Sequence, residues 1–198
     1  MSVLNSDDFE QLYADADPFG YRSRWYEQRK RAVLLAALPF PLVDRGWEFG
    51  CSNGELTAEL GTRCTRLLAT DLSHHAVKLA SERVQQHPGI TLQQANHPAD
   101  WPTGQFDLIV FSEVGYYLDA NAFERTVALF ATSLAPQGCL VACHWRHPFE
   151  GAVRSAEQVH QALDQVLARD TLCRYEDADF LLQAWMAGPS IAQREQLR

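Results

Sequence analysis

The chain has 198 residues, 46% of them hydrophobic and 21% charged, which is enough for one packed core and ordinary for a globular protein. A formal charge of −8 argues against a surface built for nucleic-acid phosphates, which needs clustered Lys and Arg. Five cysteines, odd in number and without a CxxC pair, exclude a disulfide frame or zinc site and point to reduced, buried thiols.

The polar, acidic start MSVLNSDDFEQ has no apolar leader region, and no later run approaches a membrane span. The expectation is a soluble, cytoplasmic protein. Residues 6 to 16 carry Phe9, Leu12, Tyr13 and Ala16 at helical spacing, with Ser6 as N-cap. Asp17-Pro18-Phe19-Gly20 breaks this piece. A stronger helix is predicted from about Tyr21 to Leu38, with Trp25, Ala32, Val33, Ala36 and Ala37 inward and the basic residues mostly outward. Pro39 and Pro41 end it.

Residues 47 to 57, WEFGCSNGELT, read as a strand, a tight small-residue turn and a helix opening, with that helix running from 54 to 62. A second strand, Arg66 to about Thr70, delivers Asp71 about twenty positions after the turn. Ser73 caps a helix to about Gln86, Ile90 to Gln94 is strand-like, and FDLIVFS at 106 to 112 suits a strand covered on both faces. A helix from Asn121 to Leu134, a fifth strand CLVACHW, a helix over 155 to 168 and strands at 171 to 175 and 180 to 186 complete the order. This alternation predicts an α/β fold, a doubly wound and mostly parallel sheet of seven strands. The last two strands are too close for a crossover helix, so an antiparallel edge strand is expected. Residues 1–198 read as a single domain, with 1–40 a helical cap or lid and 41–198 the core.

The turn and Asp71 suit a nucleoside, but not a dinucleotide. The G-x-G-x-x-G frame here holds Gly50, Ser52 and Glu55, and a glutamate at the third position repels a pyrophosphate at the helix N-terminus. On EFGCSNG, Asp71, FDLIVFSEV and LAPQGCLV the sequence resembles the class I S-adenosylmethionine-dependent methyltransferases, with their Rossmann-like fold. SEVGYYL and DPFGYRSRWYEQRK bring it nearest to the nodulation protein S group of N-methyltransferases.

The resemblance implies S-adenosyl-L-methionine as cofactor. Gly50 and Gly54 face its methionine part, Asp71 bridges the ribose hydroxyls and Asn96 stands where an aspartate usually accepts from the adenine amino group. Glu48, Cys51, Ser52, Leu72, Ser112 and Glu113 complete that set, and Arg29 pairs with the cofactor carboxylate. Tyr116 and Tyr117 lie beside the sulfonium and the acceptor. Trp25, Tyr26, Trp145 and Arg146 are expected in the substrate pocket, and Glu113 or His144 takes a proton. His144 and His147 lack a third ligand, so no metal site is expected. The implied reaction is N-methylation of a small-molecule amine in an amino sugar or oligosaccharide. The alternative is a non-catalytic or regulatory S-adenosylmethionine-binding protein on the same fold.

Overall fold

A computed structural model describes residues 4–197. Helices α1 (Ser6–Leu12) and α2 (Trp25–Ala37) precede β1 (Val43–Phe49), α3 (Glu55–Leu60), β2 (Cys64–Asp71), α4 (His74–Val84) and β3 (Ile90–Gln94). Then come β4 (Phe106–Ser112), α5 (Ala120–Ser133), β5 (Leu134–Trp145), α6 (Ala156–Val166), β6 (Asp170–Glu176), β7 (Phe180–Met186) and a last turn of helix, α7 (Ile191–Arg194). The seven strands form one sheet in the order β3-β2-β1-β4-β5-β7-β6. Only β7 runs against its neighbours, pairing antiparallel with both β5 and β6.

Strand order reverses between β1 and β4, and the crevice at the carboxyl ends of these strands is where such sheets take ligands. Period-two alternation of β1 divides its side chains between two cores. Trp47 and Phe49 join Phe111, Phe130 and Leu163 under α5 and α6. Val43 packs on the other face with Leu34 and Leu38 of α2 and its C-cap and with Leu60 of α3. FDLIVFS is buried on both faces, as its continuous apolar run requires.

Helix α1 is shorter than its periodicity suggested, and Asn5 rather than Ser6 caps it, accepting from the N–H groups of Asp7 and Asp8. Its Glu10 reaches across to α4 and accepts from Ser73 Oγ at 2.9 Å and from the backbone N–H of His75 at 3.1 Å. These donors hold the Glu10 carboxyl down at about 2 although its partial burial opposes them. The inward face of α2 differs from the expected one. Glu27, Lys30, Arg31 and Leu34 are buried, while Ala32 and Ala36 are exposed and Trp25 is 73% exposed. The spacing of the buried stripe is helical, but it presents charge, because it faces ion-pair partners and a cavity rather than hydrocarbon.

Gly54 is the N-cap of α3, at φ 82°, and a Cβ there would stand 2.8 Å from Ala80 Cα on α4. Its role is to let α3 and α4 pack closely behind the turn. Gly54→Ala is therefore expected to cost about 1–3 kcal/mol of stability, measured as a lower denaturation midpoint with an unchanged slope.

Candidate active site

The turn after β1 is built by backbone. Gly50 sits at φ 88°, and a Cβ there would meet Val114 Cγ2 at 2.4 Å. The Gly50 and Cys51 N–H groups both donate to Thr70 O of β2, so the turn is tied to the neighbouring strand. Ser52 takes φ 50°, and its N–H donates to Asp71 Oδ2 at 2.8 Å while Ser73 N–H donates to Oδ1 at 3.0 Å. Burial pushes the Asp71 carboxyl up to about 6, against the lowering pull of these amides.

Above this turn opens a cavity of about 630 Å³, the size of a small-molecule site. Gly50, Ser52, Asp71, Leu72, Asn96 and Ser112 line one part of it, at the ends of β1, β2 and β4 and on the loop after β3. Tyr26, Glu113, Tyr116, Tyr117, Trp145 and Phe149 line another. Asp71 and Glu113 follow strands that flank β1 on either side, so they stand roughly 10 Å apart in the hydrogen-bonding direction.

The second part is organised by an ammonium. Lys30 Nζ lies 3.0 Å from Glu27 Oε2 and 2.9 Å from Glu113 Oε1, with the rings of Tyr26 and Tyr21 at 5.0 and 5.9 Å. Burial alone would lower the Lys30 pKa, but the two carboxylates reverse that and hold it above its ordinary value. Glu113 also accepts from Tyr116 O–H and, at 3.3 Å, from Trp145 N–H. It stands at φ 60°, a conformation that non-glycine residues adopt at a cost and that recurs at functional sites.

Several expected residues lie elsewhere. Arg29 turns toward β6 and β7, where it pairs with Asp177 at 2.7 Å and donates to Tyr175 O–H; Asp177, with the closer charge, takes the guanidinium away from the cavity. Trp25 points to solvent. Arg146 is held by Glu157 at 2.9 Å and Glu176 at 3.0 Å. His144 is fully buried behind the site, its Nε2 accepting from Gly115 N–H at 3.1 Å and its Nδ1 3.2 Å from His160 Nε2. Burial, with the Lys30 charge added, pushes its imidazole down to about 3, so it stays neutral and braces the loop after β4. Glu48 and Cys51 line a smaller chamber adjoining the turn, and burial pushes the Glu48 carboxyl up to about 8. Gly54 is packed against α4.

The α2 residues Glu27 and Lys30 were not anticipated as site residues. The available signal was an i, i+3 acid–base pair followed by Arg31 and Leu34 on one helical stripe, but apolar periodicity alone selects another face. Among the described residues no group of three or more His, Cys, Asp or Glu is arranged to hold a metal ion, and no helix is long and apolar enough to cross a membrane.

Comparison with known proteins bears on the same crevice. A family model described as a methyltransferase domain matches residues 47–138. Nodulation protein S of Sinorhizobium fredii is 30% identical over 130 residues, which cover 65% of this chain and 60% of that protein. The chain thus spans less than two thirds of the length of that curated relative. A solved Pseudomonas syringae protein described as a methyltransferase is 45% identical at a TM-score of 0.74, covering 82% of this chain and 99% of that one. The N-methyltransferase NodS of Bradyrhizobium japonicum, solved with S-adenosyl-L-homocysteine, gives a TM-score of 0.82 at 26% identity, covering 93% and 98%.

The buried cluster makes a stability prediction. Lys30→Met leaves Glu27 and Glu113 facing each other without a cation and is expected to cost about 3–5 kcal/mol at neutral pH. The Glu27 carboxyl, already raised by burial, rises further in the folded state once the opposing Lys30 charge is gone. The folded variant binds the extra proton, so its deficit relative to the parent shrinks as pH falls. Urea denaturation at pH 5 and pH 8 measures the difference.

Proposed function

The chain belongs to the class I S-adenosylmethionine-dependent methyltransferases, near the nodulation protein S group, and from that membership we propose that it methylates a small-molecule acceptor, the amine of an amino sugar or oligosaccharide. One observation carries the reading. A single cavity joins a nucleoside-type half, with Asp71 and the Gly50 turn, to a half walled by acids and aromatics. When bound, S-adenosylmethionine supplies an electrophilic methyl group on a cationic sulfur.

The residues of the first half fit such a ligand. Each Asp71 oxygen accepts one backbone N–H and keeps lone pairs for ribose hydroxyls. Gly50, without a side chain, lets a ligand lie against the turn. Asn96 offers a carbonyl oxygen to the adenine amino group, with Leu72, Ser112 and Ser52 alongside in the wall. In the second half, Tyr26, Tyr116 and Tyr117 offer ring faces to a cation, and Glu113 supplies negative potential. Acids and flat rings suit the amine and the apolar faces of a sugar, and the N-methyltransferase named among the similar structures supports nitrogen as the acceptor atom. Enclosure of donor and acceptor in one cavity favours alignment, which provides much of the acceleration in a displacement of this kind.

Asp71→Ala is expected to weaken S-adenosylhomocysteine binding about 10- to 100-fold in calorimetry, as for lost hydrogen bonds to a charged group. Undiminished affinity overturns the assignment. In the parent protein, affinity is expected to fall as pH drops through about 6, where Asp71 takes up a proton and one of the two lone pairs left for the ribose hydroxyls is lost. The acceptor class is tested with a labelled-methyl screen of amines, alcohols and thiols, in which label on an amino sugar is the expected result.

A further inference from the structure

We propose that Glu27, on the inner face of α2, is the catalytic residue that takes the proton of an amine acceptor. The inference rests on the amine reading above and deepens it. Three acidic or basic groups near the second half of the cavity compete for the role, and their hydrogen bonds separate them. Glu113 receives three donors, which leave it one open lone pair: Oε1 accepts from Lys30, and Oε2 accepts from Tyr116 O–H and Trp145 N–H. His144 turns Nε2 to the Gly115 N–H and Nδ1 to His160, away from the cavity. Glu27 lines the cavity, and among the described residues its carboxylate accepts from Lys30 alone, at 3.2 Å on Oε1 and 3.0 Å on Oε2. Two lone pairs of the Glu27 carboxylate are therefore open to a ligand.

Lys30 and Arg31 face Glu27 from α2, Tyr26 from the same helix, Tyr21 from the preceding loop, Glu113 from the loop after β4 and Cys143 from β5. Burial raises its pKa, Lys30 opposes this, Glu113 adds to the rise and Arg31 opposes it. A carboxylate so raised is moved toward the range in which a general base works best. Lys30 itself is a poor nucleophile, since its ammonium is held protonated by both carboxylates.

The step balances. An acceptor R–NH₃⁺ gives one proton to Glu27: an N–H bond breaks and an O–H bond forms. The freed nitrogen pair forms the C–N bond to the methyl as the C–S pair passes to sulfur, leaving R–NH₂⁺–CH₃. Glu27 then returns its proton to water.

The test compares the parent, Glu27→Gln, Glu27→Asp and Glu113→Gln, with labelled donor and a panel of glucosamine, deacetylated chitotetraose and simple alkylamines. Glu27→Gln is expected to lower kcat about 10²- to 10⁴-fold, with the S-adenosylhomocysteine Kd from calorimetry within about two-fold of the parent's by the same reasoning. The pH profile distinguishes a lost base from a damaged pocket. With Glu27 in place the rate levels off above the Glu27 pKa, whereas in Glu27→Gln it keeps climbing toward the pKa of the free amine. The gap to the parent therefore narrows at high pH. Glu27→Asp recovers part of the rate and restores the plateau, and Glu113→Gln keeps the plateau. A Glu27→Gln rate within ten-fold of the parent's, or a loss that is the same at every pH, overturns the inference and leaves the amine reading standing. A parent protein that methylates no amine of the panel overturns that reading and the role of Glu27 with it.

Discussion

Removing an ammonium and two carboxylates from water costs several kcal/mol per ion unless each is met by partners of good geometry, and that constraint governs how the first forty residues sit on the sheet. Lys30 meets it by standing between Glu27 and Glu113 under the rings of Tyr26 and Tyr21. The position is available only if α2 lies over the carboxyl ends of β4 and β5, so the helix is fixed where it can wall a cavity. Peripheral pairs follow the same geometry. Arg31 reaches Glu59 at 2.9 Å, and Arg22 and Arg83 share Glu55 at 3.1 and 3.0 Å. The outermost of these are solvent-screened and worth little singly; the buried triad sets the register of the cap.

Glu55 illustrates how one residue serves both exclusion and assembly. At the first turn of α3 it occupies the place where a dinucleotide site needs glycine, and its charge opposes a pyrophosphate at the helix N-terminus. The same carboxylate draws in Arg22 of the loop before α2 and Arg83 of α4. Asn53 next to it donates to Ala16 O and Asp17 Oδ1, and Tyr13 O–H donates to Ser52 Oγ at 2.8 Å. The turn that faces the nucleoside half is thus also the floor to which the N-terminal segment is tied.

The sheet was legible in the sequence because its strands obey period two or run continuously apolar, and because Gly, Pro and caps punctuate them. β7 was found at its observed bounds, and the turn with Asp71 stands where the spacing put it. Legibility failed where charge goes inward. Apolar periodicity assigned Trp25 to the interior of α2 and its basic residues to solvent, whereas the stripe at 27, 30, 31 and 34 is the buried one. Arg29 was diverted by Asp177, a residue 148 positions later in the chain, which local sequence cannot weigh. His144 follows the same rule from the other side: the expected strand CLVACHW contains it, but only the fold shows that it turns inward and meets His160. At Gly54 the sequence could not show that the neighbouring helix also requires a glycine, since only the fold brings Ala80 against it.

The charge of the buried triad gives the two halves of the cavity a common logic. With both carboxylates ionised, Glu27, Glu113 and Lys30 sum to −1, and burial makes that charge costly. A cationic donor bound beside the triad would offset it and so favour the ionised Glu27 on which the proposed proton transfer depends. With a neutral sulfur in its place that offset would be lost, so the triad favours the charged donor over its neutral product. Donor binding and readiness of the base are linked through one electrostatic sum, with Lys30 holding it one charge short of neutrality. An additional cation in place of Tyr26 or Tyr21 would close that gap, leaving the pocket without the negative potential by which it distinguishes a charged donor from its neutral product.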